Sequence, residues 1–85
     1  MLQNKAQVFF VVEALNIYAS QGRRVDRLGT TDVFWDDDQR VDRFGSIEVF
    51  YDHDTGRIER LGANEVFYTE EGAVDRIGSL EVFYV

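Results

Sequence analysis

Short blocks of alternating apolar and charged positions recur along this chain, each interrupted by one glycine. Residues 25–35 read VDRLGTTDVFW, 41–51 VDRFGSIEVFY, 58–68 IERLGANEVFY and 74–84 VDRIGSLEVFY. Internal repetition at a fixed period decides architecture before any local propensity does. The glycine stands at the fifth place of every copy (Gly29, Gly45, Gly62, Gly78) and is followed by Thr30, Ser46, Ala63 or Ser79. Glycine at the first central position is what a type II′ turn needs, because φ is positive there and the primed turns match the twist of paired strands. Each block is therefore predicted to be a two-residue β-hairpin.

That turn sets a register. Phe44 faces Ile47, Arg43 faces Glu48, Asp42 faces Val49, Val41 faces Phe50 and Arg40 faces Tyr51. An Arg–acid pair then recurs as Arg27/Asp32, Arg43/Glu48, Arg60/Glu65 and Arg76/Glu81, and a β-branched–Phe pair as Val25/Phe34, Val41/Phe50, Ile58/Phe67 and Val74/Phe83. Cross-strand pairs of these kinds contribute roughly 0.2–1 kcal/mol each, and a one-residue slip would break both sets. Period-2 alternation puts Val41, Arg43, Glu48 and Phe50 on one face and Phe44, Ile47, Val49 and Tyr51, with Asp42 and Arg40, on the other. The second face continues as Val33/Trp35, Val66/Tyr68 and Val82/Tyr84, and it is the predicted core. On the first face the row Phe34, Phe50, Phe67 and Phe83 is expected to be shielded by arginine stems or covered by a partner.

Residues 8–24 lack the glycine signature. Laid over the copy at 41, Val8 falls on Val41, Val11 on Phe44 and Tyr18 on Tyr51, so 8–24 is read as a degenerate first repeat. An amphipathic helix over residues 6–19 is the alternative; the β-branched and aromatic content of Val8, Phe9, Phe10, Val11, Val12, Ile17 and Tyr18 favours strand. Repeats would then start at Val8, Val25, Val41, Ile58 and Val74, with spacings of 17, 16, 17 and 16 residues. The expectation is one all-β domain over 1–85, an antiparallel meander of four to five hairpin repeats (8–24, 25–40, 41–57, 58–73, 74–85), rolled into a partial barrel or paired with a second sheet. A β-solenoid is the competing arrangement, and hairpin turn chemistry argues against it.

Composition narrows the function classes. A chain of 85 residues with net charge −7 buries a limited core and gains from a staple or a partner. It has no cysteine, hence neither disulfide framework nor thiolate metal site. The acidic balance argues against nucleic acid or an anionic membrane as partner, and no signal peptide or membrane-length apolar run is apparent. A water-soluble protein is expected. The last strand runs flush to Val85, leaving a potential unpaired edge; edges of this kind need protection, and a homodimer or a protein partner is the expected means.

The connections carry a second motif. Tyr51-Asp52-His53-Asp54-Thr55-Gly56-Arg57-Ile58, Trp35-Asp36-Asp37-Asp38-Gln39-Arg40-Val41 and Tyr68-Thr69-Glu70-Glu71-Gly72-Ala73-Val74 resemble the YD repeats of rearrangement-hotspot and teneurin-type proteins, whose core is Tyr-Asp-x-x-Gly-Arg-hydrophobic. The first has one residue more before Gly56, the second has Gln39 for glycine, and the third lacks Asp and Arg. The resemblance spans about 25–85 and implies antiparallel hairpins laid side by side. It does not carry over the large enclosing shell, which needs many more repeats.

Candidate chemistry is sparse. Asp36, Asp37 and Asp38, with Asp52 and Asp54, are the candidate metal ligands, since successive aspartates in a turn can offer several oxygens to Ca²⁺; the EF-hand spacing is absent, and solvated turn formation is the competing role. His53 stands alone in a turn with no nucleophile or orienting group. The strand carboxylates recur identically opposite the same arginine, which marks them as structural rather than as a glycosidase pair. An enzyme is not expected. Two functions survive: a structural or interaction module using edge strands and the face of Phe34, Phe50, Phe67 and Phe83, and a ligand-binding module taking carbohydrate on an aromatic row or Ca²⁺ at the acidic turns.

Overall fold

A computed structural model describes residues 4–84; the remaining four, including the chain end at Val85, lie outside the described residues. One helix, α1 (Lys5–Ser20), precedes eight strands: β1 (Arg27–Leu28), β2 (Thr31–Trp35), β3 (Val41–Phe44), β4 (Ile47–Tyr51), β5 (Ile58–Leu61), β6 (Asn64–Tyr68), β7 (Val74–Ile77) and β8 (Leu80–Glu81). The strands form one antiparallel meander in sequence order, with β1 and β8 at its outer edges. The sheet is open.

Over the two pairs nearest each turn the hairpin register is the one the turns dictate, whereas Val41, Ile58 and Val74 pair with Trp35, Tyr51 and Tyr68 of the preceding hairpin rather than with Phe50, Phe67 and Phe83 of their own. Arg43 lies opposite Glu48 and Phe44 opposite Ile47, with the same pairs at Arg27/Asp32 and Leu28/Thr31, Arg60/Glu65 and Leu61/Asn64, and Arg76/Glu81 and Ile77/Leu80. The turn glycines have φ between 58° and 65° while the residues after them keep negative φ, as a type II′ turn requires.

Simple alternation fails between hairpins. Phe34 pairs with Arg43 but the next residue, Trp35, pairs with Val41, so Asp42 is an extra residue in β3. Glu59 and Asp75 are extra in the same way in β5 and β7. These are β-bulges, which turn a side chain to the opposite face and sharpen local twist. Val41, Ile58 and Val74, expected beside Arg43, Arg60 and Arg76, are instead buried together with Phe44, Leu61 and Ile77. Val33, Val49 and Val66 complete the sheet's contribution to the core, with Ile47, Trp35, Tyr51, Tyr68 and Val82 packed at its margin.

The reading of residues 8–24 as a first β-repeat is overturned: they belong to α1 and the connection after it. The helix lays Val8, Phe9, Val12 and Leu15 on the apolar face of the sheet. These fall at i, i+1, i+4 and i+7, the spacing of one helical stripe. Both of its ends are capped. Asn4 accepts a hydrogen bond from Gln7 N–H while the Gln7 side chain bonds back to Asn4 N–H, a capping box. At the other end Gly22 has φ 83°, Gly22 N–H donates to Ala19 and Arg23 N–H to Tyr18, which is a Schellman closure. β-propensity lost because a meander with one apolar face needs a cover, and tertiary burial outweighs intrinsic preference.

Candidate functional site

The outer face is built from a contact between consecutive hairpins. Arg43 places its guanidinium 4.3 Å from the ring centroid of Phe34, Arg60 lies 4.5 Å from Phe50, and Arg76 4.6 Å from Phe67. Each arginine is directly opposite its phenylalanine in the inter-hairpin register. The Arg–acid pairs predicted within each hairpin are aligned along the backbone, yet among the described residues ion pairs form only from Arg40, to Asp36 and Asp38. Cation–π contact with a ring that is itself partly desolvated is worth ~0.5–2 kcal/mol and takes the guanidinium away from the carboxylate. Phe34, Phe50 and Phe67 each have an arginine over one ring face, although Phe34 and Phe67 remain 41 % and 38 % exposed; Phe83, with no such arginine among the described residues, is 83 % exposed.

A second row runs along the margin of the core. Trp35 Nε1–H donates to the Val25 carbonyl at 3.0 Å, and the hydroxyls of Tyr51, Tyr68 and Tyr84 donate to the carbonyls of Val41, Ile58 and Val74 at 2.8, 2.6 and 2.7 Å. The last aromatic of each block thereby ties down the carbonyl of its first residue. Arg24, Arg40 and Arg57 lie over Trp35, Tyr51 and Tyr68; the corresponding place before the fourth block is Ala73, and Tyr84 is 60 % exposed. Burial pushes the Tyr51 and Tyr68 hydroxyls up to about 12.

Two of these rings meet the helix among the described residues: Tyr68 packs against Phe9, ring centroids 6.5 Å apart, and Tyr51 is hydrogen-bonded to Asn16. Asn16 Nδ2–H donates to Tyr51 Oη at 2.9 Å, and Val41 N–H donates to Asn16 Oδ1 at 2.8 Å. Asn16, Tyr51 and Val41 close a triangle of hydrogen bonds between α1 and the β3–β4 hairpin. Sequence reasoning missed Asn16 because its assignment depends on the helix.

The acidic turns hold themselves. Asp36 Oδ1 accepts from the N–H groups of Asp38 and Arg40, and Asp52 Oδ1 from those of Asp54 and Thr55. The backbone donors Thr55 and Asp54 lower the pKa of the half-buried Asp52 carboxyl. Both arrangements are Asx-type turns. Asp37, Asp38, Asp54 and His53 are exposed, and the described residues include no group of three or more His, Asp or Glu side chains placed to hold a metal ion. Asp36, Asp38 and Asp52 line one concavity together with Asp42 and His53, with Arg40 among them.

These features define a helix-backed meander of hairpin repeats with an Arg-lidded aromatic outer face and open edge strands. Comparison with protein-family models, curated proteins and solved structures gave no match. No helix among the described residues is long and apolar enough to cross a membrane.

Proposed function

We propose that this protein is an interaction module that accepts a β-strand of a protein partner along the β8 edge, with the aromatic outer face as its contact surface. One observation carries the reading: the consecutive rings Phe83 and Tyr84 are 83 % and 60 % exposed, whereas Phe34 and Phe67 beneath their arginines are 41 % and 38 % exposed and Tyr51 and Tyr68 are half-buried. An unpaired edge beside open aromatic surface is the combination that strand addition uses, main-chain bonds supplying affinity and side-chain contacts specificity. A sugar ring stacking on the row would have to displace the guanidinium groups from Phe34, Phe50 and Phe67, so a strand partner fits better than carbohydrate.

A synthetic peptide with the sequence of residues 24–35 is a suitable probe, because it reproduces the hairpin that each internal strand pair receives. Titrated into the protein and followed by amide NMR, it is expected to shift residues 80–84 saturably while a scrambled peptide does not. Absence of any shift at millimolar peptide would refute the reading.

A further inference from the structure

The two outer edges of the sheet are the two halves of one contact that the molecule already makes three times. Every internal boundary between hairpins sets Phe34, Phe50 or Phe67 beneath Arg43, Arg60 or Arg76. At the same boundaries the N–H of Gly45, Gly62 and Gly78 donates to the carbonyl of Asp32, Glu48 and Glu65 at 2.7–2.8 Å. Phe83 has no arginine over it, and Arg27, which occupies the same place in its block as Arg43, has no ring beneath it among the described residues. The edges also differ in charge. Arg23, Arg24 and Arg27 supply three of the nine basic residues and, with Asp26, leave residues 23–28 at net +2, whereas residues 80–84 carry only Glu81, net −1.

We infer that β8 of one copy pairs antiparallel with β1 of a second copy, head to tail, in the register of the internal boundaries. The assignment rests on the strand-acceptor reading above and names the partner as this chain itself. Phe83 then lies opposite Arg27 of the second copy, Val82 opposite Leu28, and Tyr84 opposite Val25, as Phe34, Val33 and Trp35 lie opposite Arg43, Phe44 and Val41. Gly29 N–H of the second copy donates to the Glu81 carbonyl. Leu28, 43 % exposed on β1, enters the place that Phe44, Leu61 and Ile77 fill internally. A two-fold pairing of β8 with β8 satisfies none of this: it leaves both phenylalanines unlidded and both arginines without a ring. The contact is heterologous, so it propagates until a ring closes.

Sedimentation equilibrium of the full chain is expected to give a mass that rises with concentration above the 9.9 kDa of one copy. Arg27→Ala and Phe83→Ala, both at exposed positions, should each weaken association roughly tenfold or more, the loss of a lidded cation–π pair. An equimolar mixture of the two variants retains one intact boundary, Phe83 of one against Arg27 of the other, and should form a dimer and stop there. Because the chain has no cysteine, Leu28→Cys and Val82→Cys variants give an independent readout: a disulfide should form in their mixture and in neither alone. A disulfide between two Val82→Cys chains, no rescue on mixing, or a constant mass of 9.9 kDa would overturn the assignment. In the last case, binding of the 24–35 peptide at residues 80–84 would still leave the strand-acceptor reading standing, whereas failure of both would remove both.

Discussion

Replacing Asn16 with alanine tests how the helix is held to the sheet. Its side chain makes two hydrogen bonds, accepting from Val41 N–H at 2.8 Å and donating to Tyr51 Oη at 2.9 Å. Val41 is fully buried, so in the variant its N–H loses its acceptor in a region poor in water. A buried donor left unsatisfied costs ~1–3 kcal/mol, and the lost bond to Tyr51 adds about 1 kcal/mol. Tyr51 keeps its bond to the Val41 carbonyl. The expected destabilisation is about 2–4 kcal/mol, against a total of roughly 4–13 kcal/mol for a domain of this length. Urea denaturation followed by far-UV circular dichroism and Trp35 fluorescence should show an earlier midpoint with an unchanged slope, and the melting temperature should fall by about 10–25 °C. Tyr68→Phe is the comparator, since the Tyr68 hydroxyl makes the same bond to its block, at the Ile58 carbonyl, with no hydrogen bond to the helix among the described residues, and phenylalanine keeps the ring against Phe9; it should cost only about 1 kcal/mol. The double variant Asn16→Ala/Tyr51→Phe should show a coupling of at least about 0.5 kcal/mol. If Asn16→Ala proves no more costly than Tyr68→Phe, the triangle does not anchor the helix.

Other consequences are as direct. Gly29→Ala meets nothing within 4 Å and carries only the strain of positive φ, whereas at Gly45 the new Cβ meets Thr31 Cγ2 at 3.1 Å; both should destabilise by about 1 kcal/mol or more, Gly45→Ala the more so in urea titration. Gln39 holds φ 65° where the neighbouring connections have Gly56 and Gly72, so Gln39→Gly should leave stability unchanged or raise it by up to about 1 kcal/mol in the same assay. With the Tyr51 and Tyr68 hydroxyls raised by burial to about 12, the unfolded chain loses these protons first as pH climbs. The stability they contribute is whole below about pH 10, their unfolded value, and declines toward pH 12; Tyr51→Phe and Tyr68→Phe should flatten that decline in a pH series of urea midpoints.

Hairpin by hairpin, the register next to the turn is legible in the sequence, because it depends on interactions a few residues apart: a glycine of positive φ, the pair beside it and the charged pair beyond. The valines at 33, 49 and 66 and Phe44 were placed in the core by the same local alternation. Three features could not be reached that way, and each has a long-range cause. The bulges at Asp42, Glu59 and Asp75 arise where one hairpin meets the next, and they move Val41, Ile58 and Val74 into the core. The arginines prefer the phenylalanine of the preceding block over the acid of their own, a choice that depends on which ring is brought under them. Residues 5–20 are helical because a half-covered sheet offers an apolar face to fill. The Asn4–Gln7 capping box and Gly22 announced the helix ends, and β-branched composition obscured them. Local chemistry specified the hairpins, and burial against distant parts of the chain specified how they join, what covers them and which edges stay open.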